Sequence, residues 1–304
     1  MGKFRRLIGV QVTEPGLRMA AEQNHEIDHS ETMVRSPAEA SAGEPQPAGR
    51  EAIAVRPAAS PVHISFIGGC VSEYVLKACS DLLLLKNRIM HCATPVLVGP
   101  SAPAIDVDTS HWSRVARVMF TFENSGQCVD ALADLADVVL IDFNRDFCKP
   151  TMQIAGRRFS WHYDFENCLS ASSWLTRHAR LEDEATHEYF VRWTEAVDVF
   201  LHRLTAEGKR VIVLVPAPAM MIVEEGRVVP FDGPRNPIDA RKTMLVSRAN
   251  RWLLSRYDAR RDIRLVVVDY PAFASPTKDF RWVYHYDHWV SRFIGLQVHA
   301  AAIA

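Results

Sequence analysis

The chain has 304 residues, of which 48% are hydrophobic and 23% charged, with a formal net charge of -1. Those proportions exclude a fibrous or wholly disordered chain. The near-neutral charge argues against a nucleic-acid partner, which demands a basic surplus, and no apolar run approaches the roughly 20 residues of a transmembrane segment.

The basic start Met1-Gly2-Lys3-Phe4-Arg5-Arg6 is not followed by an apolar stretch long enough for a secretory signal, so a cytoplasmic location is expected. Six cysteines, at 70, 79, 92, 128, 148 and 168, contain no C-x-x-C pair and are read as reduced thiols, mostly small core residues. From about Glu14 to Ser60 the chain is rich in Ala, Pro, Glu, Ser and Gln without a sustained apolar period. Such a segment buries too little apolar area to offset the entropy of ordering it, so residues 1–60 are expected to form a disordered tail.

From Val62 onward strand and helix patterns alternate. Val62 to Ile67 predicts a buried strand closed by Gly68-Gly69, and Ser72 to Leu85 predicts a helix with Val75, Leu76, Cys79, Leu82 and Leu83 on one face. Pro95 to Val98 reads as a short strand. Asp137 to Asp142 reads as a strong one, an apolar run of the kind parallel sheets bury on both faces. A helix follows over Ala185 to Glu207, with Tyr189, Trp193, Val197, Phe200 and Leu204 at helical spacing and Gly208 as its stop. The strand Val211 to Val215, a helix from Asp239 to Tyr257 and the strand Ile263 to Val268 complete the pattern. Repeated strand–helix–strand units with short connections imply an α/β fold, a parallel sheet covered by helices, as one domain over residues 61–304.

In open α/β sheets, ligands gather outside the carboxyl ends of the strands. Three such segments carry reactive side chains. In Gly68-Gly69-Cys70-Val71-Ser72 the thiol of Cys70 falls at a helix N-terminus, where unpaired N–H groups favour a thiolate; a small buried turn cysteine is the plain alternative. Asp142-Phe143-Asn144-Arg145-Asp146 follows the central strand, and Asp279 to His288 supplies imidazoles and carboxylates after the last one. His285-Tyr286-Asp287-His288 and His162-Tyr163-Asp164 contain metal-ligand types but lack a third, helix-spaced partner, so no metal is expected. Arg145 and Arg157-Arg158 suit a phosphate or a sugar carboxylate, or a solvated face. Trp161, Trp174, Trp282 and Trp289 suit sugar stacking or packing. No glycine-rich nucleotide loop is present.

Gly68-Gly69-Cys70-Val71-Ser72 resembles the first block of the SGNH (GDSL) hydrolases, G-D-S-[LI]-S, with Cys70 at the nucleophilic serine, and more closely the G-S-C-V-[ST] opening of a bacterial SGNH-like family associated with surface polysaccharides. Asp137 to Asp146 resembles the third block, with Asn144 at the oxyanion asparagine, and Gly126 is matched to the second-block glycine. His285 with Asp279 resembles the D-x-x-H block. Three positions depart: Gly69 replaces Asp, Asp142 replaces Gly, and Asp279 precedes His285 by six residues rather than three. The resemblance implies a three-layer α/β/α sandwich of the SGNH/flavodoxin-like kind. It also implies an acyl esterase or O-acyltransferase acting on a carbohydrate or glycoconjugate, with Cys70 as nucleophile, His285 and Asp279 in support, Asn144 and Gly126 at the oxyanion, and Ser72 as the rival nucleophile. No cofactor is implied, and acyl-CoA is left open as a donor substrate. A non-catalytic domain of this fold that binds a glycan or a partner is the alternative.

Removing residues 1–55 is expected to leave the melting temperature unchanged, since their composition offers no core to join. A fall of several degrees on differential scanning calorimetry would show that this segment packs.

Overall fold

The computed structural model describes residues 60–99, 103–224, 226–231, 237–270, 272–274 and 284–304. The expected tail, Ser60 apart, lies outside the described residues, as does Asp279.

In chain order the principal elements are β1 (Val62–Gly68), α1 (Cys70–Ala78), β2 (Leu83–Met90), α2 (Arg114–Asn124), β3 (Val138–Asp142), β4 (Thr151–Ile154), β5 (Arg157–Ser160), α3 (Leu169–His178), β6 (Ala179–Leu181), α4 (His187–Ala206), β7 (Arg210–Val215), β8 (Met221–Glu224), β9 (Arg227–Pro230), α5 (Pro237–Tyr257), β10 (Ile263–Val267), β11 (Phe273–Ala274) and α6 (His288–Ile303). Five strands form one sheet in the order β2-β1-β3-β7-β10, every pair parallel. Counted along the chain this is the 2-1-3-4-5 order of a doubly wound sheet, whose winding reverses between β1 and β3. Right-handed crossovers on either side of that reversal put α1 on one face and α4 and α5 on the other. The result is a three-layer α/β/α sandwich, as the sequence pattern implies.

Each layer follows from its residues. All five residues of β3 are buried, which suits an apolar run flanked by strands on both edges and helices on both faces. In α4 the side chain of Thr186 accepts the Tyr189 N–H at 3.1 Å, and Tyr189, Trp193, Val197, Phe200, Leu201 and Leu204 form its buried stripe. Gly208, at φ +75°, ends it in the left-handed conformation that glycine adopts without strain. Trp193 meets Trp252 of α5 with ring centroids 5.3 Å apart. On the opposite face α6 packs against α1, closely enough that a Cβ on Gly295 would fall 2.3 Å from Cys79 Sγ.

The structure corrects two of the predicted elements. The expected helix from Ser72 to Leu85 ends at Ala78, and Leu83–Met90 is an edge strand instead. Edge position explains the misreading: Leu84 and Leu85 are exposed, so the leucine run shows neither the alternation nor the full burial of an inner strand. Thr94–Leu97 is one turn of helix rather than a strand, with Pro95 in its first turn, where a missing N–H costs nothing. Two three-stranded sheets, β5-β4-β6 and β11-β8-β9, extend the chain beyond the expected pattern.

Gly68 carries a testable consequence of the close approach between β1 and β3. A Cβ there would lie 2.5 Å from Asp142 Oδ2 and 2.9 Å from the Asp142 carbonyl oxygen, at φ +154°. On Gly69 the nearest neighbour would be 3.9 Å away. Gly68→Ala is expected to cost about 2 kcal/mol in urea denaturation, and Gly69→Ala much less. Equal effects would contradict the packing described.

Candidate active site

The reversal of winding places the ends of β1 and β3 side by side, and the chemistry-bearing loops converge there. Gly69 is the N-cap residue of α1 and Cys70 its first residue. The backbone N–H groups of Gly69 and Ser72 donate to Asp142 Oδ2 at 3.1 and 3.2 Å, and the Ser72 hydroxyl donates to the same oxygen at 2.5 Å. The carboxylate that ends β3 therefore caps the helix that follows β1. Burial pushes the Asp142 carboxyl up, while these donors pull it down. Ser72 is fully buried and committed to Asp142. It does not line the cleft, so geometry does not favour it as a nucleophile.

A cleft of about 200 Å³ opens above this junction, and Cys70, Asn144 and His285 all line it. Cys70 is half-buried. Its thiol is raised above the ordinary range, first by burial and then by the nearby charges of Asp142 and Glu73, against the opposing pull of its own backbone N–H and Lys77. The pull of the helix terminus toward a thiolate, which the sequence suggests, is outweighed at Cys70 by burial and then by the charges of Asp142 and Glu73. Cys148 also lines the cleft, and burial pushes its thiol up to about 12. The other four cysteines are buried, and all six are free thiols.

Asn144 is 4% exposed, and neither its Nδ2 nor its Oδ1 has a hydrogen-bond partner among the described residues. Leaving a buried polar atom unpaired costs roughly 1–3 kcal/mol, so the protein itself leaves this amide unsatisfied in the cleft lining. His285 is buried, with its ring edge-on to Tyr74 at 5.3 Å between centroids. Its sequence competitors have other places: Asp287 caps α6 by accepting the Trp289 N–H at 2.9 Å, and His288 is exposed on that helix. Gly126 does not line the cleft; at φ +82° it begins the helical turn after α2. Asp279 lies outside the described residues.

Three cleft residues, His91, Lys149 and Lys242, carry no clear signal in the sequence, and the sequence offers His162 only as a metal-ligand type. His91 and His162 meet edge to face at 5.1 Å, and each imidazole is held down to about 4, first by burial and then by the Arg145 cation. His162 Nδ1 also lies 2.6 Å from Asp164 Oδ2. Reading Leu83–Met90 as a strand would have put His91 at its carboxyl end, beside β1, so the missed strand hid the residue. Lys149 and Lys242 reach the cleft from distant parts of the chain, a placement local spacing does not encode.

Arg145, Arg157 and Arg158 each make contacts within the protein. Arg145 donates to the carbonyls of His91 (3.1 Å), Lys149 (2.8 Å) and Trp161, pinning three loops around the cleft. Arg157 serves the carbonyls of Pro103, Glu123 and Asn124, and Arg158 pairs with Glu182. Trp161 is buried, Trp174 stacks on His178, Trp289 is exposed away from the cleft lining, and Trp282 lies outside the described residues. Among the described residues no helix is long and apolar enough to cross a membrane. Comparison with protein-family models and with curated proteins finds no match.

The two depressed imidazoles set a pH dependence. Their folded values of about 4 lie below the ordinary 6.5, so on acidification the unfolded chain takes up protons first. The stability they contribute is complete above about pH 6.5 and is lost as pH falls toward 4. Buried Asp142 and Asp146, with raised values, act in the opposite sense. His162→Gln is therefore expected to lose less stability than the unsubstituted protein between about pH 7 and 4.5 in urea titrations. Equal losses would show that His162 titrates as an ordinary histidine.

Proposed function

We propose that the cleft performs acyl transfer with Cys70 as nucleophile, His285 as general base and Asn144 as an oxyanion donor. The observation that carries this reading is the meeting of a half-buried thiol, an imidazole and a buried, unpartnered amide at the carboxyl ends of β1 and β3. A thiol, an imidazole and an unpaired donor are the parts that acyl transfer requires.

The raised Cys70 thiol decides how the first step runs. At neutral pH the sulfur carries its proton, so His285 removes that proton as Sγ attacks the acyl carbonyl. The carbonyl π electrons move onto oxygen, where the Asn144 amide and the Cys70 backbone N–H receive the charge. One such donor typically lowers the barrier by about 3 kcal/mol. Collapse expels the alcohol or thiol leaving group, which takes the proton from His285, and leaves a thioester on Cys70. A water molecule or a sugar hydroxyl then attacks the thioester carbonyl and gives its proton to the imidazole; the C–S bond breaks, Sγ takes that proton back from His285, and the acid or ester product leaves, so hydrolysis and transfer share one intermediate. Asp279 is proposed to orient His285, and an activated acyl ester or acyl-CoA to supply the acyl group. A carbohydrate acceptor follows from the family resemblance.

One observation favours the second reading, a domain that binds a glycan or partner without catalysis: burial and Asp142 hold the Cys70 thiol protonated. Turnover of 4-nitrophenyl acetate separates the two. Cys70→Ala is expected to fall to the uncatalysed rate, and Asn144→Ala to lose about 10²-fold in kcat with KM little changed. Activity is expected to rise with pH as the raised thiol ionises. Turnover in the unsubstituted protein no faster than in Cys70→Ala would establish the binding module instead.

A further inference from the structure

The cleft holds two ammonium groups that acyl transfer leaves unused. Lys149 follows the helical turn Arg145–Cys148 and Lys242 stands on α5, yet both line the cleft that holds Cys70. Neither forms an ion pair among the described residues; the only ring contact of Lys149 places its Nζ 5.5 Å over Tyr163. The nearby carboxylates lie beyond ion-pair distance of both lysines: Asp142 Oδ2 accepts from Gly69 and Ser72, Glu166 accepts the Trp161 indole N–H at 3.0 Å, and Asp164 and Glu166 attract Lys149 only at longer range. Arg145, buried in the cleft lining, adds a positive charge that among the described residues donates to carbonyl oxygens. The two lysines also sense one another, since the Lys242 charge helps burial in lowering Lys149.

Like charges gathered in a partly desolvated cleft, with no carboxylate in direct contact with either, repel one another, and an anion bound between them reduces that cost. Beside them the partnerless Asn144 amide, nine-tenths buried, lines the same space. We infer that Lys149 and Lys242 form an anion subsite beside Cys70, which selects a substrate bearing a carboxylate or phosphate group. That the anion belongs to an acyl donor or acceptor rests on the acyl-transfer reading; the subsite itself does not.

The test measures binding without turnover. The full-length protein and its Cys70→Ala variant are titrated by calorimetry with inorganic phosphate, glucuronate and glucose. Saturable binding of phosphate or glucuronate, and none of glucose, is expected in both proteins. Tighter glucuronate would place the anion on a sugar, and tighter phosphate would place it on a phosphorylated donor or acceptor. Lys149→Met and Lys242→Met, which keep the apolar stems, are each expected to weaken anion binding roughly tenfold, and Lys→Arg at each position to retain it. Circular dichroism of every variant confirms folding. Absence of saturable anion binding in a folded protein, or equal binding in the Met variants, would overturn the subsite. Anion binding without turnover of any ester would retain the subsite and remove the acyl-transfer reading alone.

Discussion

The carboxylate of Asp142 joins the end of β3 to the first turn of α1, and the shape of the cleft depends on that junction. A buried carboxylate is costly unless it is supplied with donors. Here the Gly69 N–H, the Ser72 N–H and the Ser72 hydroxyl converge on one of its oxygens. Gly68 makes the approach feasible, because a side chain there would occupy the space that the carboxylate fills.

The same contact sets the electrostatics of Cys70. A helix N-terminus favours an anion through its unpaired N–H groups and its dipole, and in this chain the anion so favoured is Asp142. Burial and the Asp142 charge then hold the Cys70 sulfur in its protonated form. Under the proposed acyl transfer, a thiol held in this form depends on a base during the attack, which gives His285 more weight than it would have beside a standing thiolate. Lys149 and Lys242 line the same cleft, so the site combines a neutral thiol with two cationic side chains.

Much of this architecture was legible in the sequence because burial leaves a strong trace. β3, β7 and α4 are apolar on every face that packs, and the predicted ranges differ from the observed ones by only a residue or two. Cys70, Asn144 and His285 were legible because each follows a strand or precedes a helix, the place where ligands gather in such sheets. β2 was hidden by its edge position, and His91 with it. The role of Asp142 was hidden for another reason: the partners of a carboxylate are set by a contact spanning some seventy residues, which local pattern does not encode. Lys149 and Lys242 meet through the same kind of long-range folding.

The most direct measurement is the mass of the protein after brief exposure to 4-nitrophenyl acetate, followed by peptide mapping at mildly acidic pH. Acyl transfer through Cys70 requires one acetyl group on the peptide that contains Cys70, absent in Cys70→Ala and slower to appear in His285→Ala. An unmodified protein, or acetyl groups spread over lysines and other cysteines without dependence on His285, would contradict it.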